Sequence, residues 1–521
     1  MDTRPVPPTS DTDRLDNPSI AETKRFLELY TGIQSFYDEV NQNMDLVDCP
    51  FDFKFRPSSV RPIIDAKYLK YLQDNKIRPS ESVVAYRRFI HEKISWRNRI
   101  RRECRPKDLR FAKWRDRQIA RTKAEFGAER DDYFIHAPVM FELAEGCSVG
   151  CWFCAFSAPK LANVFDYSPN NAKLWRTVLQ TVADVIGPGS RWSTNYFATD
   201  PLDNPDHEKF CEDFYEILGM WPQTTTAIPH KDVERTRSLL IRAREKGCRV
   251  NRFSIMNKKI LHKVHESFTA EELRDVELII QSQDSTQLKA KAGRYVDSAK
   301  KNKKIEARED EKNVDALMQR FGKDEAEEIQ SRAEDQPGSI CCVTGFLVNL
   351  VEKTVKLISP VGADQRWPLG IIVFDQRSFE DGDDLRNVLE EMQADMVTEL
   401  DMGDVVRFNR KLKVEFTELG FTLSSPATLI KLEGEAHQKF FRSVGELIVA
   451  GKKTANEICL LNFYKTMTPP QQTMGFLVEL FERGLLEDEL NCEPRSYFRN
   501  SGPQMIGERS ENPKSVREMI G

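Results

Sequence analysis

The chain has 521 residues, which exceeds one typical domain and leaves room for a barrel of about 200–250 residues with accessory modules. Its 40% hydrophobic and 31% charged residues are typical of a soluble globular protein, and a net charge of -5 is too small to predict a polyanionic partner. Because it has no run of about eighteen apolar residues and no signal-peptide core, we expect a cytoplasmic protein that does not bind a membrane.

The N-terminal quarter is predicted to be helical and basic. Residues 1–20 are polar and contain prolines, which indicates a disordered tail, whereas residues 21–136 show apolar positions at helical spacing. Residues 87–130 mix many arginines with aromatic side chains, namely Trp96, Phe111 and Trp114. Such a mixture is typical of nucleic-acid-binding proteins, and it could also cradle an acidic peptide. We favour a solvated helix pair whose aromatic residues face the core, and we expect no nucleic-acid partner.

Residues 137–375 are predicted to form the core, which has an α/β fold. Short segments that indicate strands occur at 137–144, 191–199, 223–228 and 249–255. Segments with helical spacing lie between them, at 171–187, 206–220 and 231–247. This alternation predicts parallel strands joined by helices, as in an open sheet or a partial barrel.

A charged stretch interrupts the core at 268–336 and predicts an exposed helical insertion or lid. After Pro337 and Gly338 the chain becomes strand-rich again, and two of these strands are predicted to form a hairpin around Glu352 and Lys353. Residues 376–403 are interpreted as a linker.

Residues 404–490 are predicted to form a C-terminal module, followed by a flexible tail at 491–521. The first part of the module, as far as residue 432, alternates like short antiparallel strands, and three helical segments follow. This order indicates a winged-helix module, a fold that binds DNA more often than peptides.

The most specific motif is a cysteine triplet with the spacing C-x3-C-x2-C. Cys147, Cys151 and Cys154 follow the first core strand, at the end where α/β enzymes place their chemistry. Structural zinc sites use four protein ligands, but no fourth cysteine stands nearby in the sequence and no histidine occurs in the fifty residues that follow. Three thiolates on a cubane cluster would instead leave one iron open. The other cysteines are scattered, apart from the adjacent Cys341 and Cys342, so a second cluster is not expected.

The triplet, with the aromatic Phe153 before its last cysteine, resembles the radical S-adenosylmethionine (SAM) superfamily. The resemblance implies a partial (β/α)6 TIM-like barrel, one 4Fe–4S cluster, and SAM, whose amino and carboxylate groups chelate the open iron next to Phe153. It also implies a protein reductant such as flavodoxin or ferredoxin. Reduction cleaves SAM to methionine and a 5′-deoxyadenosyl radical, which abstracts a hydrogen atom from carbon.

Further SAM contacts are expected on later loops and strands. The segment 196–206 (YFATDPLDNPD) stands where the superfamily binds the SAM amino group, although it lacks the usual glycine pair. The candidates in this segment are Thr199, Asp200 and Pro201, with an Asx turn at Asp200 as the simpler alternative. Polar residues on otherwise buried strands add three more candidates: Thr225, Arg252 and Ser254.

Within the superfamily, the segments ELAEGCSVGCWFC, ATDPLDNPD, PQTTTA and ICCVTGFLVN look like the proteusin-type epimerases that mature ribosomally synthesised peptides. The resemblance implies conversion of L- to D-residues in a precursor peptide, whose leader would bind the C-terminal module as it binds a peptide-recognition element. Inversion requires a hydrogen atom from the face opposite to abstraction, and a cysteine thiol is the natural donor. Cys341 and Cys342 would point to opposite faces of a predicted strand. The hydroxyl of Thr344, on the same face as Cys342, favours Cys342 as the catalytic donor.

Two other functions stay open at this stage. A radical SAM enzyme that forms rings or thioethers usually has auxiliary clusters, and no cysteine grouping in this chain matches one. A DNA-binding iron–sulfur redox sensor would fit a winged helix, but it needs neither an open iron nor a SAM loop. The sequence therefore favours the epimerase.

Overall fold

The structure is a computed structural model that describes residues 18–44, 55–282, 289–301 and 338–487. The chain divides into one compact unit, Met1–Leu490, and a second unit, Asn491–Gly521. The predicted tail at 491–521, most of the predicted tail at 1–20 and much of the predicted insertion lie outside the described residues. The described residues form a mixed α/β fold with several sheets and many helices. No helix in these residues is long and apolar enough to cross a membrane.

The N-terminal region is helical, in agreement with its apolar spacing. Its helices are α1 (Ile20–Gly32), α2 (Gln34–Gln42), α3 (Arg61–Ile64), α4 (Ala66–Asp74), α5 (Glu81–Glu103), α6 (Leu109–Phe126) and α7 (Ala128–Asp131). The side chains of Ser80 and Asp108 cap α5 and α6 by accepting hydrogen bonds from backbone N–H groups of the first turn. Phe111 and Trp114 are buried, and the Trp96 ring packs edge-on against Trp192. The aromatic residues of the basic stretch therefore pack inward, as favoured from the sequence.

The core alternates strands and helices in chain order. These elements are β1 (Ala137–Glu142), β2 (Ala144–Glu145), β3 (Asn163–Val164), α8 (Pro169–Ile186), α9 (His207–Leu218), β4 (Thr225–Thr226), α10 (Val233–Glu245), β5 (Asn251–Ile255), α11 (Lys258–Ser267) and β6 (Val276–Ile280). Strands β4, β5 and β6 pair in parallel. The buried side chains of β5 and β6 alternate with partly exposed ones, and the buried set packs against α1 and α11. The three predicted core helices are confirmed.

The predicted strand at 191–199 is wrong. A 3-10 helix spans Pro188–Trp192, and the residues after it contribute one backbone hydrogen bond to β1, from Phe141 N to Thr194 O (3.1 Å). The hydroxyls of Ser190 and Ser193 donate to the carbonyls of Gly187 and Ser190, respectively. These local bonds compete with a strand ladder, which explains why a β-like composition forms a turn.

A second sheet has the order β1-β7-β8-β9, with β7 (Val343–Asn349), β8 (Thr354–Pro360) and β9 (Ile371–Ser378). Strand β7 pairs in parallel with β1 and in antiparallel with β8, so the predicted hairpin around Glu352 and Lys353 is confirmed. Two other predictions need correction. Strand β6 lies inside the stretch 268–336, which was predicted to be helical throughout. Cys341 and Cys342 precede β7 and are not part of the strand.

The predicted linker at 376–403 is wrong, because it contains the end of β9 and helix α13 (Gly382–Ala394). The Asp381 side chain caps α13, and Leu385 and Leu389 are fully buried. Helix α13 packs on α8, where the Thr181 hydroxyl donates to the Gly382 carbonyl (2.9 Å). The amphipathic spacing of α13 was present in the sequence, but its many acidic residues concealed it.

The C-terminal residues follow the predicted order of antiparallel strands and then three helices. The strands are β10 (Lys413–Thr417), β11 (Gly420–Ser425) and β12 (Thr428–Glu433), and the helices are α14 (Gln438–Val449), α15 (Ala455–Thr466) and α16 (Pro470–Glu482). The strands form an antiparallel sheet with β11 in the centre. Their inner side chains share a hydrophobic cluster with the three helices.

Candidate active site

The cysteine triplet lies on a loop that follows β1 and β2. The loop bends at Gly146, where φ is +83° and a Cβ atom would lie 2.4 Å from the Lys160 carbonyl oxygen. The start and the end of the loop are joined by a hydrogen bond, which the Cys147 N–H donates to the Pro159 carbonyl (2.9 Å). The bend therefore requires glycine for both its backbone angle and its close contact.

All three cysteines have free thiols and are partly exposed. Burial, together with charge repulsion from the neighbouring Cys154 and Cys147, raises the pKa of Cys151 to about 12. Burial also raises the pKa of Cys147. The three thiols share one loop and repel one another when they are ionised. A bound cation would therefore stabilise the thiolates.

The triplet would bind a cluster through one thiolate per iron. Among the described residues, no three His, Cys, Asp or Glu side chains meet closely enough to bind one metal ion. A cubane cluster makes a different demand, because each thiolate binds its own iron and the thiolates stand apart around the cluster. Cys147, Cys151 and Cys154 could hold three irons of such a cluster.

Helix α12 (Arg294–Lys301) fixes the back of the cysteine loop. The Arg294 guanidinium donates to the carbonyls of Cys151 (3.1 Å) and Ala158 (2.5 Å), and its N–H donates to the Cys154 carbonyl (3.0 Å). Phe153, the predicted SAM-adjacent aromatic residue, packs with Trp152 against this helix and is partly exposed. Helix α12, which belongs to the predicted insertion, therefore holds the loop that carries the thiols in place.

The segment after residue 198 contacts the cysteine loop from the other side. Thr199 Oγ1 donates to the Gly146 carbonyl (2.7 Å), and the Ser148 N–H donates to the Asp203 carboxylate (2.8 Å). The rings of Phe156 and Phe197 pack with their centroids 4.6 Å apart. Pro201 is buried and begins a 3-10 helix of three residues. The structure thus brings Thr199 to Pro201 next to the triplet.

The Asp200 carboxylate is buried and already satisfied by the protein. It accepts hydrogen bonds from the backbone N–H groups of Leu202 (3.1 Å) and Ala227 (2.7 Å), and the Thr226 hydroxyl lies 2.8 Å from Oδ1. Burial raises its pKa to about 6, against the effect of these bonds. Asp200 therefore joins its loop to β4, and the turn expected as the simpler alternative is present.

The partly exposed side chains of β4, β5 and β6 form one surface, which we call the inner face. It consists of Thr225, Arg252, Ser254, Glu277 and Ile279, and it continues to Met256 just after β5. At one end, the Met256 Sδ lies 3.7 Å from the Cys151 Sγ. At the other end, Arg252 Nε donates to Glu277 Oε2 (2.9 Å). Three of the predicted site residues, Thr225, Arg252 and Ser254, thus share a face that reaches the cysteine loop.

Cys342 lies at the Arg252 end of this surface. Burial raises the pKa of its thiol, while the Ile135 N–H and the Arg252 charge lower it. Its side chain is partly exposed, whereas Cys341 is fully buried. Exposure therefore separates the two candidates in favour of Cys342, but the reason given from the sequence was wrong. The Thr344 hydroxyl does not face an open space, since it is buried at 2.7 Å from His136 Nδ1.

Comparison with known proteins shows which family the chain belongs to. No family model matches the chain. The uncharacterized protein y4wI of Sinorhizobium fredii (strain NBRC 101917 / NGR234) is 32% identical over 482 residues, which cover 91% of this chain and 88% of that protein. The chain belongs to the y4wI family. A solved structure, that of BtrN in complex with AdoMet and 2-DOIA, is 16% identical and has a TM-score of 0.21 over 27% of this chain and 55% of BtrN.

For this member of the y4wI family, sequence reasoning missed three residues of the candidate site. Met256 and Glu277 stand on the inner face, and the Tyr196 hydroxyl donates to Thr225 Oγ1 (2.7 Å). Glu277 carried a usable signal, because it is the charged residue in the apolar segment 276–280. Nothing in the sequence points to Met256, because a methionine after a strand is common in hydrophobic cores.

Proposed function

We propose that this protein is a radical SAM peptide epimerase that converts L- to D-residues in a precursor peptide. The observation that carries the proposal is the inner face, which has the cysteine loop at one end and a partly exposed thiol, Cys342, at the other. Epimerisation removes a hydrogen atom from one face of a carbon and returns one from the opposite face. It therefore needs a radical source at one end of the inner face and a hydrogen donor at the other.

Cys147, Cys151 and Cys154 would hold a 4Fe–4S cluster, which supplies the electron that cleaves SAM to methionine and a 5′-deoxyadenosyl radical. The low-potential electron comes from a reductant such as flavodoxin or ferredoxin. Phe153 and the segment Thr199–Pro201 contact this loop and are the nearest candidates for SAM binding. Because the Asp200 carboxylate is occupied, backbone carbonyls of its loop are the better acceptors for the SAM ammonium group.

The separation of the two ends suits a substrate held between them. Arg252 and Met256 are four residues apart on an extended segment, which corresponds to about 13 Å at the rise of a β-strand. This length accommodates the adenosyl group near Cys151 and a peptide segment beside Cys342. Ser254, halfway between, would face the space where the two meet, and Thr225 lines the neighbouring strand.

The chemistry at Cys342 is a hydrogen-atom transfer. The Cα–H bond of an L-residue breaks as 5′-deoxyadenosine forms, and the Cys342 S–H bond then breaks as a new Cα–H bond forms on the opposite face. The resulting thiyl radical takes one electron and one proton, with the electron supplied by the same class of low-potential reductant. A high thiol pKa keeps Cys342 protonated, which is the state that donates a hydrogen atom.

The C-terminal residues supply the expected docking element for the precursor leader. Strands β10 and β12 form the edges of their sheet, and β12 presents Leu429 and Lys431 outward. An extended leader peptide can add to such an edge through backbone hydrogen bonds, with alternate side chains setting specificity. We therefore assign the precursor leader to this module, and we assign no nucleic acid to it.

The test is an anaerobic reaction of the reconstituted, reduced enzyme with SAM and a precursor peptide encoded beside its gene, in deuterium oxide. The thiol proton exchanges with solvent, so each inverted residue should gain one mass unit and appear as a D-residue after hydrolysis. Cys342→Ala should still form 5′-deoxyadenosine but no D-residue, whereas Cys341→Ala should retain epimerisation. D-residues formed by Cys342→Ala would refute the assignment. Loss of mass with formation of a ring or thioether would indicate another radical reaction.

A further inference from the structure

Arg252 was a candidate SAM contact, but its surroundings indicate another role. It lies opposite Glu277 in the register of β5 and β6, and its Nε donates to the Glu277 carboxylate (2.9 Å). Both side chains stay partly exposed on the inner face, 36% for Arg252 and 31% for Glu277. The ion pair therefore holds the guanidinium in one direction without enclosing it.

The terminal nitrogens of Arg252 are available for a ligand. Among the described residues, Glu277 is the side-chain hydrogen-bond partner of Arg252, and it uses only Nε. A guanidinium carries five N–H donors in a fixed plane and accepts no hydrogen bonds. A ligand with an exposed oxygen atom is the natural complement of the donors that remain.

Glu277 stays ionised beside Arg252. Burial alone would raise the pKa of Glu277, but the charges of Arg252 and Lys93 hold it below its ordinary value. The Arg252 guanidinium is the cation that lowers the pKa of the Cys342 thiol. An oxygen atom that gains electron density during a reaction would be stabilised there.

Distance separates Arg252 from the expected position of the charged groups of SAM. The SAM amino and carboxylate groups are expected on the open iron, close to Cys151, which contacts Met256. Arg252 lies four strand residues from Met256, about 13 Å away. The charge of Arg252 interacts with the Cys342 thiol and with Tyr196. The Tyr196 hydroxyl donates to Thr225, which pairs with Arg252 in the sheet. Arg252 is thus placed on the thiol side of the inner face.

We propose that Arg252, oriented by Glu277, binds the carbonyl oxygen of the substrate residue that is inverted and so sets which face of that residue meets Cys342. This inference rests on the epimerase proposed above. A radical at Cα is delocalised into the neighbouring carbonyl group, whose oxygen then gains electron density. A charge-assisted hydrogen bond to that oxygen would both stabilise the radical and fix the plane of the peptide unit.

The experiment compares Arg252→Gln, Arg252→Lys and Glu277→Gln with Arg249→Gln, an exposed arginine three residues away whose guanidinium stacks on Trp96. Each protein is loaded with its cluster. We expect Arg252→Gln to bind SAM within twofold of wild type by equilibrium dialysis, and to form tenfold to a hundredfold fewer D-residues per 5′-deoxyadenosine, the range of one charge-assisted hydrogen bond. Arg252→Lys and Glu277→Gln should lose less, and Arg249→Gln should resemble wild type.

A second measurement does not depend on epimerisation. The alkylation rate of Cys342 by iodoacetamide at one alkaline pH, followed by mass spectrometry, should fall in Arg252→Gln because the thiolate loses a neighbouring cation. A tenfold loss of SAM affinity in Arg252→Gln, or an unchanged yield of D-residues per 5′-deoxyadenosine, would overturn the inference. If the wild-type enzyme forms no D-residue, the epimerase proposal fails. The other two measurements on Arg252→Gln then decide the position of Arg252. A loss of SAM affinity would place it on the SAM side of the inner face, and a slower alkylation of Cys342 would place it on the thiol side.

Discussion

Glu142 provides the most quantitative prediction that the structure supports. It is the last residue of β1, opposite Asn349 in the register of β7, and the Asn349 amide donates to its carboxylate (3.0 Å). Burial raises the pKa of Glu142 from 4.5 to about 7, although the Lys356 charge and the Asn349 bond oppose this shift. The carboxyl group is therefore half protonated near neutral pH, five residues before the first cysteine of the triplet.

The shift has a calculable consequence for stability. One pKa unit corresponds to about 1.4 kcal/mol, so a rise from 4.5 to about 7 amounts to about 3 kcal/mol between the two protonation states. Because the folded pKa lies above the unfolded one, this stabilisation is complete below pH 4.5 and is lost as the pH rises through 7. Glu142→Gln resembles the protonated form and keeps an acceptor for Asn349. Its stability should therefore not decline through this window.

The assay is urea unfolding of the cluster-free protein at pH 5 and pH 8, with wild type and variant compared at each pH. Glu142→Gln should be close to wild type at pH 5 and more stable at pH 8, by an amount of up to about 3 kcal/mol. Glu380→Gln, exposed just after β9, is the matched control and should change stability by less than about 0.5 kcal/mol at either pH. An equal effect of Glu142→Gln at both pH values would refute the reasoning.

Two further predictions concern the support of the site. Arg294→Ala removes the donors to the Cys151 and Ala158 carbonyls, so it should lower the iron and sulfide content after reconstitution several-fold; Lys300→Ala, exposed on the same helix, should not. Thr344→Val leaves the buried His136 Nδ1 without its hydroxyl partner, so it should lower the free energy of unfolding by about 1–3 kcal/mol. A urea midpoint equal to that of wild type would contradict this reading of the His136 contact.

Much of the fold could be predicted because helices and the central strands have strong local patterns. Helices α8, α9 and α10 each combine an apolar stripe with a clear end signal, such as the Asp232 cap of α10 and the left-handed Gly219 after α9. The strand predicted at 191–199 failed because serine hydroxyls can bond to the local backbone as readily as a strand can bond to its neighbour. The prediction of a linker at 376–403 was wrong, although apolar residues in this segment recur at helical spacing.

The candidate site also contains residues that a local sequence pattern indicates and residues that only long-range contacts reveal. Cys147, Cys151 and Cys154 are close in sequence, so their spacing alone indicates a shared ligand. Arg294, which holds their loop, comes from a stretch 140 residues later whose charge predicts only solvent exposure. No local pattern joins the two, because a guanidinium that binds backbone carbonyls places no requirement on the type of residue it contacts.

The same limit applies to the choice between Cys341 and Cys342, and the structure changes the grounds for it. Side chains alternate between two faces only within a strand, so the prediction required both cysteines to lie in β7. The pairing of β7 with β1 begins at Val343, after both of them. What separates them is packing: Cys341 is sealed within the core, whereas Cys342 meets the charge of Arg252 on the inner face. Arg252 is held by Glu277 on β6, inside a stretch read as exposed helix. Cys342 could be named as a candidate from the sequence, but the residues around its thiol become visible only when β6 is placed beside β5.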